Sequence, residues 1–383
     1  MQRAITCTIT LLALSILDAA QESQQERRIR DWSESRVEEI IQSSDAVRRN
    51  EAVVDQSIGH KAEGADSFEV VEHLKVTSST HTQFAATVVL AIGCDQEGNF
   101  YARLLRDGRG AATFNAPLYK ISPDGKIDAT FDGGNNFEEG NRTYGLGASI
   151  TDDGDIYQIR WSEKRLPEAP VQQFIVRYSK DGSIKSKVKL ESQGHTFRQV
   201  VAFKSGDLLV SGSADKGGAF TAVLDPGGKM LSNISDPDDE QPIDPVTPID
   251  GSESKRGPAR QSFDQGHAIA ASDGNIYLMS SVSQPLIYAV SPSGQIVHKF
   301  RVDPGRSGLV PLSIFSSPGQ LAIFFAFEKS QSSGGLLKVI SFEGRPIATY
   351  DVDAGYLSCY APTYMTVADI DAGMLVLNRV EPK

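Results

Sequence analysis

Eleven glycines, each closing a short polar turn between two strand-like runs, organise most of this 383-residue chain into a repeat. One series is Gly98, Gly154, Gly206, Gly274, Gly319 and Gly373; Ser272-Asp273-Gly274-Asn275-Ile276-Tyr277 shows its form. A second series, Gly125, Gly182, Gly228, Gly294 and Gly344, interleaves with the first, as in Ser291-Pro292-Ser293-Gly294-Gln295-Ile296. The physical content is hairpin chemistry. Glycine takes a positive φ without steric cost, and Asp, Ser and Pro set up the turn before it. The apolar, β-branched and aromatic runs on either side then pair as antiparallel strands.

Each second-series glycine follows its first-series partner by 20 to 28 residues, so one unit holds two hairpins, or four strands. Six such units predict an all-β, six-bladed β-propeller over residues 66–383. A pair of β-sandwiches, or a ring of five or seven blades, would use the same hairpins. The sixth unit, read as Val367–Leu375 around Gly373, lacks an outer hairpin. Ser67–Val76 reads as an extra strand ahead of the first unit, and is expected to complete the sixth sheet. That pairing would join the two chain ends and cover an open strand edge.

The repeat resembles the NHL-repeat and related lactonase-like six-bladed propellers. The likeness is strongest at Ala271–Tyr277 with Ser291–Ile296 and at Thr151–Tyr157 with Ser179–Ile184, and it extends over nearly all of 66–383. It implies architecture more than activity, because propellers of this class include extracellular binding modules, lactonase-like hydrolases and lyases.

The residues before the repeat read differently. Arg3, the apolar run Ile5–Leu17 and the small pair Ala19-Ala20 have the layout of a secretory signal peptide over 1–20. A helical arm and linker are expected over 21–65: Ile29, Trp32, Val37, Ile40, Ile41 and Val47 fall at rough helical spacing among many charges. No later run is long and apolar enough for an internal membrane span. The chain is therefore expected to be secreted or periplasmic. A net charge of −11 argues against a nucleic-acid partner, since phosphate neutralisation needs a basic face. After cleavage Cys94 and Cys359 remain. The repeat places them near opposite ends of neighbouring strands, and a disulfide needs Cα atoms within ~7 Å, so pairing is left open and not favoured.

In a propeller the first strand of each blade lines the central channel. The position seven before each first-series glycine is Ala91, Gly147, Gln199, His267, Leu312 and Thr366, which is no ring of metal ligands. His195, His267, Tyr144, Arg198 and Gln199 are the candidates for a binding site at one channel mouth. Two histidines fall short of the three or four ligands that zinc needs, so no metal and no cofactor is expected. The Asp-rich turns lack calcium-loop spacing, and no nucleophile elbow, phosphate loop or H-E-x-x-H is present. These features point to a binding or scaffold module for a small molecule, glycan or protein. The alternative is a metal-dependent lyase or lactonase-like hydrolase. The proline-rich, acidic stretch 235–263 is too long for a plain connection and reads as an insertion.

Overall fold

The computed structural model describes residues 66–76, 88–105, 117–131, 141–164, 172–191, 194–214, 219–234, 267–279, 285–306, 308–327, 335–352, 356–361, 364–371 and 374–382. The expected signal peptide, arm and linker lie outside the described residues, as does the insertion at 235–263. Every regular element among the described residues is a strand, and none is a helix long and apolar enough to cross a membrane.

The strands form a six-bladed propeller. Blade 1 is β2 (Val88–Cys94), β3 (Phe100–Leu105), β4 (Leu118–Ile121) and β5 (Ile127–Phe131). Blade 2 is β6 (Asn141–Ile150), β7 (Ile156–Lys164), β8 (Gln172–Tyr178) and β9 (Ile184–Leu190). Blade 3 is β10 (His195–Ala202), β11 (Leu208–Ala214), β12 (Ala219–Leu224) and β13 (Met230–Ile234). Blade 4 is β14 (His267–Ala270), β15 (Ile276–Met279), β16 (Leu286–Val290) and β17 (Ile296–Arg301). Blade 5 is β18 (Leu309–Ser317), β19 (Gln320–Phe327), β20 (Gly335–Ser341) and β21 (Pro346–Val352). Blade 6 is β22 (Tyr356–Ala361), β23 (Tyr364–Asp371), β24 (Met374–Pro382) and, from the other end of the chain, β1 (Asp66–Lys75).

β1 closes the ring as expected. It runs antiparallel to β24, from Phe68 opposite Pro382 to Lys75 opposite Val376, and its first two residues also pair with Tyr350 and Asp351 of β21. Six apolar clusters fill the six gaps between neighbouring blades. The gap between blades 6 and 1, for example, is filled by Val76, Cys359, Leu375 and Leu377 against Phe100, Ala102 and Ile121. The other five gaps are packed in the same way. The middle strands of each blade are therefore covered on both faces, which explains runs such as Leu286–Val290 in β16 that are buried at every position.

The turns follow the predicted chemistry. In the first hairpin the Gly98 N–H donates to the Asp95 carbonyl at 3.1 Å, and the Asp95 N–H donates to the Asn99 carbonyl at 3.2 Å. Gly98 has φ 81°, the left-handed conformation of a type I turn closed by a glycine bulge. The Asp95 carboxylate also accepts from the Asn99 N–H and the Tyr101 hydroxyl, each at 2.9 Å. Burial, reinforced by that carboxylate, holds the Tyr101 hydroxyl well above the ordinary tyrosine range.

Second-series glycines have an additional role. A Cβ on Gly125 would approach the Lys75 carbonyl at 3.2 Å, and one on Gly182 the Thr130 carbonyl at 3.1 Å. On Gly228 it would meet Val188 at 2.7 Å, and on Gly344 the Phe300 ring at 2.7 Å. Each outer turn thus abuts the outermost strand of the preceding blade, and Gly125 treats β1 as the outermost strand of blade 6. Gly274, a first-series glycine, has φ +89° and nothing within 4 Å of its Cβ position. Gly274→Ala is therefore expected to cost only the backbone term, about 1–2 kcal/mol. Gly344→Ala adds a clash with a packed aromatic ring, a further ~1–3 kcal/mol. Urea unfolding of the two variants side by side measures the difference, and equal losses would show that the outer turns do not carry blade-to-blade packing.

Two sequence expectations are corrected here. The inner strand of blade 6 is β22, not the stretch before Gly373. Ala361 pairs with Tyr364 across a connection that lacks the repeat glycine, and Gly373 lies between β23 and β24. Thr366 consequently sits on a second strand. The same shift brings Cys359 onto an innermost strand beside β2. Cys94 and Cys359 are disulfide-bonded, with Cα atoms 5.5 Å apart.

Candidate functional site

The inner strands share an irregularity that no turn motif announces. Pairing slips between Ala91 and Gly93 in β2, Gly145 and Ala148 in β6, and Phe197 and Gln199 in β10. It slips again between Pro311 and Ser313 in β18 and between Leu357 and Cys359 in β22. Only β14, of four residues, pairs regularly. A bulge inserts one residue into the ladder and re-aims side chains, and bulges gather at barrel rims and binding sites. Five bulges midway along five inner strands form a ring about the axis. Their inserted residues are Ile92, Leu146 with Gly147, Arg198, Leu312 and Ser358, of which Arg198 alone is charged. At Gly147 a Cβ would lie 2.5 Å from the Arg198 carbonyl, so β6 and β10 meet backbone to backbone there.

Of the five residues named from sequence, Arg198 and Gln199 share the β10 bulge and are half-buried. His195 starts the same strand, and its ring packs against Phe220 with centroids 4.4 Å apart. Phe220 in turn meets Phe197 edge-on at 5.3 Å. His195 therefore extends an aromatic stack. His267 is exposed at the start of β14, where it pairs with Met279. Tyr144 pairs with Trp161 in the ladder of blade 2. Among the described residues no group of three or more His, Cys, Asp or Glu gathers as metal ligands.

A cavity of about 290 Å³ lies between blades 1 and 6. Gln96–Gly98, Phe100, Ser122 and Pro123 form one wall, and Leu74, Thr366, Leu377 and Arg379 the other. It opens beside the turns, and none of the five sequence-named residues lines it.

The Asp-rich turn of blade 2 is structural. The buried Asp155 carboxylate accepts from Arg177 Nε at 2.7 Å and from Lys185 Nζ at 2.7 and 2.8 Å. This pins the first hairpin of the blade to its outer strands.

Sequence reasoning missed a second polar cluster. Arg103 of β3 and Gln158 and Arg160 of β7 face each other between blades 1 and 2, at 4%, 3% and 0% exposure. Arginine is seldom buried so completely. At the same offsets from the turn glycine that give Gln158 and Arg160 in blade 2, blade 5 has Ile323 and Phe325, and blade 3 has Val210 and Gly212. Aligning the repeats on their glycines would have exposed the substitution.

No family model and no curated protein matches the chain. Among solved structures, a protein of unknown function from Bacteroides caccae superposes with a TM-score of 0.44 at 14% identity, covering 78% of this chain and 98% of its own. A putative oxidoreductase (glucose dehydrogenase) from Thermus thermophilus gives 0.40 at 10% identity, covering 82% and 100%. An exo-β-1,3-galactanase from Phanerochaete chrysosporium gives 0.38 at 11% identity, covering 81% and 70%. At such identities and scores none of these likenesses bears on what this chain does.

Proposed function

We propose that this propeller is an exported binding module of the NHL-repeat type that recognises a small molecule, glycan or protein at one mouth of its channel. The ring of inner-strand bulges is the observation that carries the reading. The outer ladders of blades 1 to 5 also slip, but beside their glycine turns; the inner ladders slip away from any repeat turn, where a bulge re-aims a side chain toward the channel. Arg198, the charged member of the ring, is the expected anchor, with Gln199 beside it and Tyr144, His195 and His267 on the flanking inner strands. Export, with residues 1–20 removed, is supported by the Cys94–Cys359 pair, since disulfides persist in oxidising compartments.

Thermal unfolding of the purified chain against a panel of neutral and acidic oligosaccharides and nucleosides tests the reading. At least one probe is expected to raise Tm saturably. Arg198→Ala should weaken it about tenfold or more, the worth of a hydrogen bond to a charged group. A stabilising probe whose effect survives both Arg198→Ala and Gln199→Ala would move the site away from the bulge ring.

A further inference from the structure

We propose that the cavity between blades 1 and 6 binds one neutral monosaccharide, and that it does so only when the ring is closed. The inference is independent of the channel mouth, because none of the residues named there lines this cavity.

The alternation of the strands explains why space remains. On β24, Leu375, Leu377 and Arg379 fall on the face turned toward blade 1. Ala368 and Thr366 of β23 pair with Leu377 and Arg379. Leu375, Leu377 and Ala368 belong to the apolar cluster that fills this gap. One rung on, the pair becomes Thr366 and Arg379, and the apolar packing gives way to the cavity. Leu74 pairs with Leu377 from the other side, so both ends of the chain build the same wall. The facing wall is made largely of the turns of blade 1, with Gln96 and Glu97 from the first and Pro123 from the second. A ligand held between these walls stabilises the closed ring and not the open chain.

Size narrows the ligand. The volume, about 290 Å³, is near the lower end for small-molecule sites. At ~30 Å³ per water it equals about ten waters, the bulk of one sugar ring and too little for a disaccharide.

Chemistry narrows it further. Neither charged group of the lining is waiting for a counter-ion. Glu97 Oε1 lies 3.6 Å from Lys180 Nζ of blade 2, and its Oε2 accepts from Asn99 Nδ2 at 3.3 Å. Arg379 has contacts within the chain. The Ser122 hydroxyl belongs to its own turn, where it accepts from the Lys126 N–H at 3.1 Å. A neutral guest is therefore favoured, and it meets the Thr366 hydroxyl, the Gln96 amide and the N–H groups that a five-donor guanidinium keeps beyond its other contacts. These offer donors and acceptors together. Leu74, Leu377 and Pro123 offer aliphatic surface beside them. A pyranose matches both, with hydroxyls that donate and accept around its rim and C–H bonds on its faces.

Thermal unfolding of the full chain tests this, with glucose, galactose, mannose and N-acetylglucosamine titrated separately. Sucrose at equal osmolality is the control, because it raises Tm by exclusion from the protein surface. At least one monosaccharide is expected to raise Tm saturably and beyond sucrose. Thr366→Val removes the hydroxyl at constant shape and should weaken that response about fivefold, the worth of a neutral hydrogen bond. If Thr366→Val does not fold, Gln96→Ala, in an exposed turn, should weaken it by a similar factor. The idea is overturned if all four sugars only match sucrose, which would mean that the cavity holds water alone. It is also overturned if the response survives unchanged in both variants, or if galacturonate binds more tightly than galactose, which would show a cation awaiting an anion. None of these outcomes touches the channel-mouth reading, which Arg198→Ala tests separately.

Discussion

A chain truncated to begin after Val76 is expected to lose its cooperative unfolding transition and to self-associate, whereas one truncated just before Asp66 keeps the transition and the association state of the full chain. The difference is a single strand. β1 supplies the outermost strand of blade 6, paired with β24 from Phe68 to Lys75 with one slip between Val70 and Glu72. The Val76 N–H extends the pairing by donating to the Leu375 carbonyl at 3.0 Å. Val76 is completely buried against the core shared by blades 6 and 1. Each ladder hydrogen bond contributes a net ~1 kcal/mol, and each buried aliphatic side chain about 1.5–3 kcal/mol. Loss of the strand therefore removes on the order of 5–10 kcal/mol, comparable with the whole stability of a typical domain. It also bares the edge of β24, which carries the apolar residues Val376 and Val380 and would template pairing with a second chain. Urea unfolding and size-exclusion chromatography read the two effects. An unchanged elution volume with a sharp transition near the native midpoint would mean that the ring holds without its terminal strand.

The second large effect is expected from the cysteines. Reduction, or replacement by Cys94→Ser with Cys359→Ser, should lower the unfolding free energy by roughly 2–5 kcal/mol. The disulfide joins residues 265 apart in sequence, so in the unfolded chain it closes nearly the whole propeller into a loop. The entropy withheld from that state is the source of the gain, though the native ring, already closed by β1, limits it. Cys359 is buried, so reduction of the folded protein should be slow and should follow opening of the gap between blades 1 and 6. Reductant should leave the double-serine variant unchanged; an equal fall in both chains would place the effect elsewhere. Disulfide and β1 act on the same junction, so combining the two losses should depart from additivity.

Much of the fold was legible because the turn chemistry is local. Ten of the eleven glycines close hairpins in the left-handed conformation, from Gly98 at 81° to Gly344 at 82°. The eleventh, Gly373, misled the reading of blade 6. Its surroundings look like a first hairpin, but nothing in a short motif distinguishes the first hairpin of a blade from the connection between its second and third strands. That single shift of phase placed Thr366 on the channel and put Cys359 out of reach of Cys94. The candidate residues fared unevenly for a related reason. Gln199 was found at a fixed distance from a glycine, and it shares the β10 bulge with its neighbour Arg198. The packing of His195 against Phe220 has no local motif that announces it.

Spacing, turn residues and apolar alternation are properties of neighbours along the chain, and they sufficed for the strands, the blade count and the closing role of the N-terminal strand. Which inner strands touch, where their ladders bulge, that two cysteines 265 residues apart meet, and that Arg103 and Arg160 face one gap all depend on residues remote in sequence. Those meetings are set by closure of the ring, which brings the first blade against the last and turns one face of each sheet toward its neighbour.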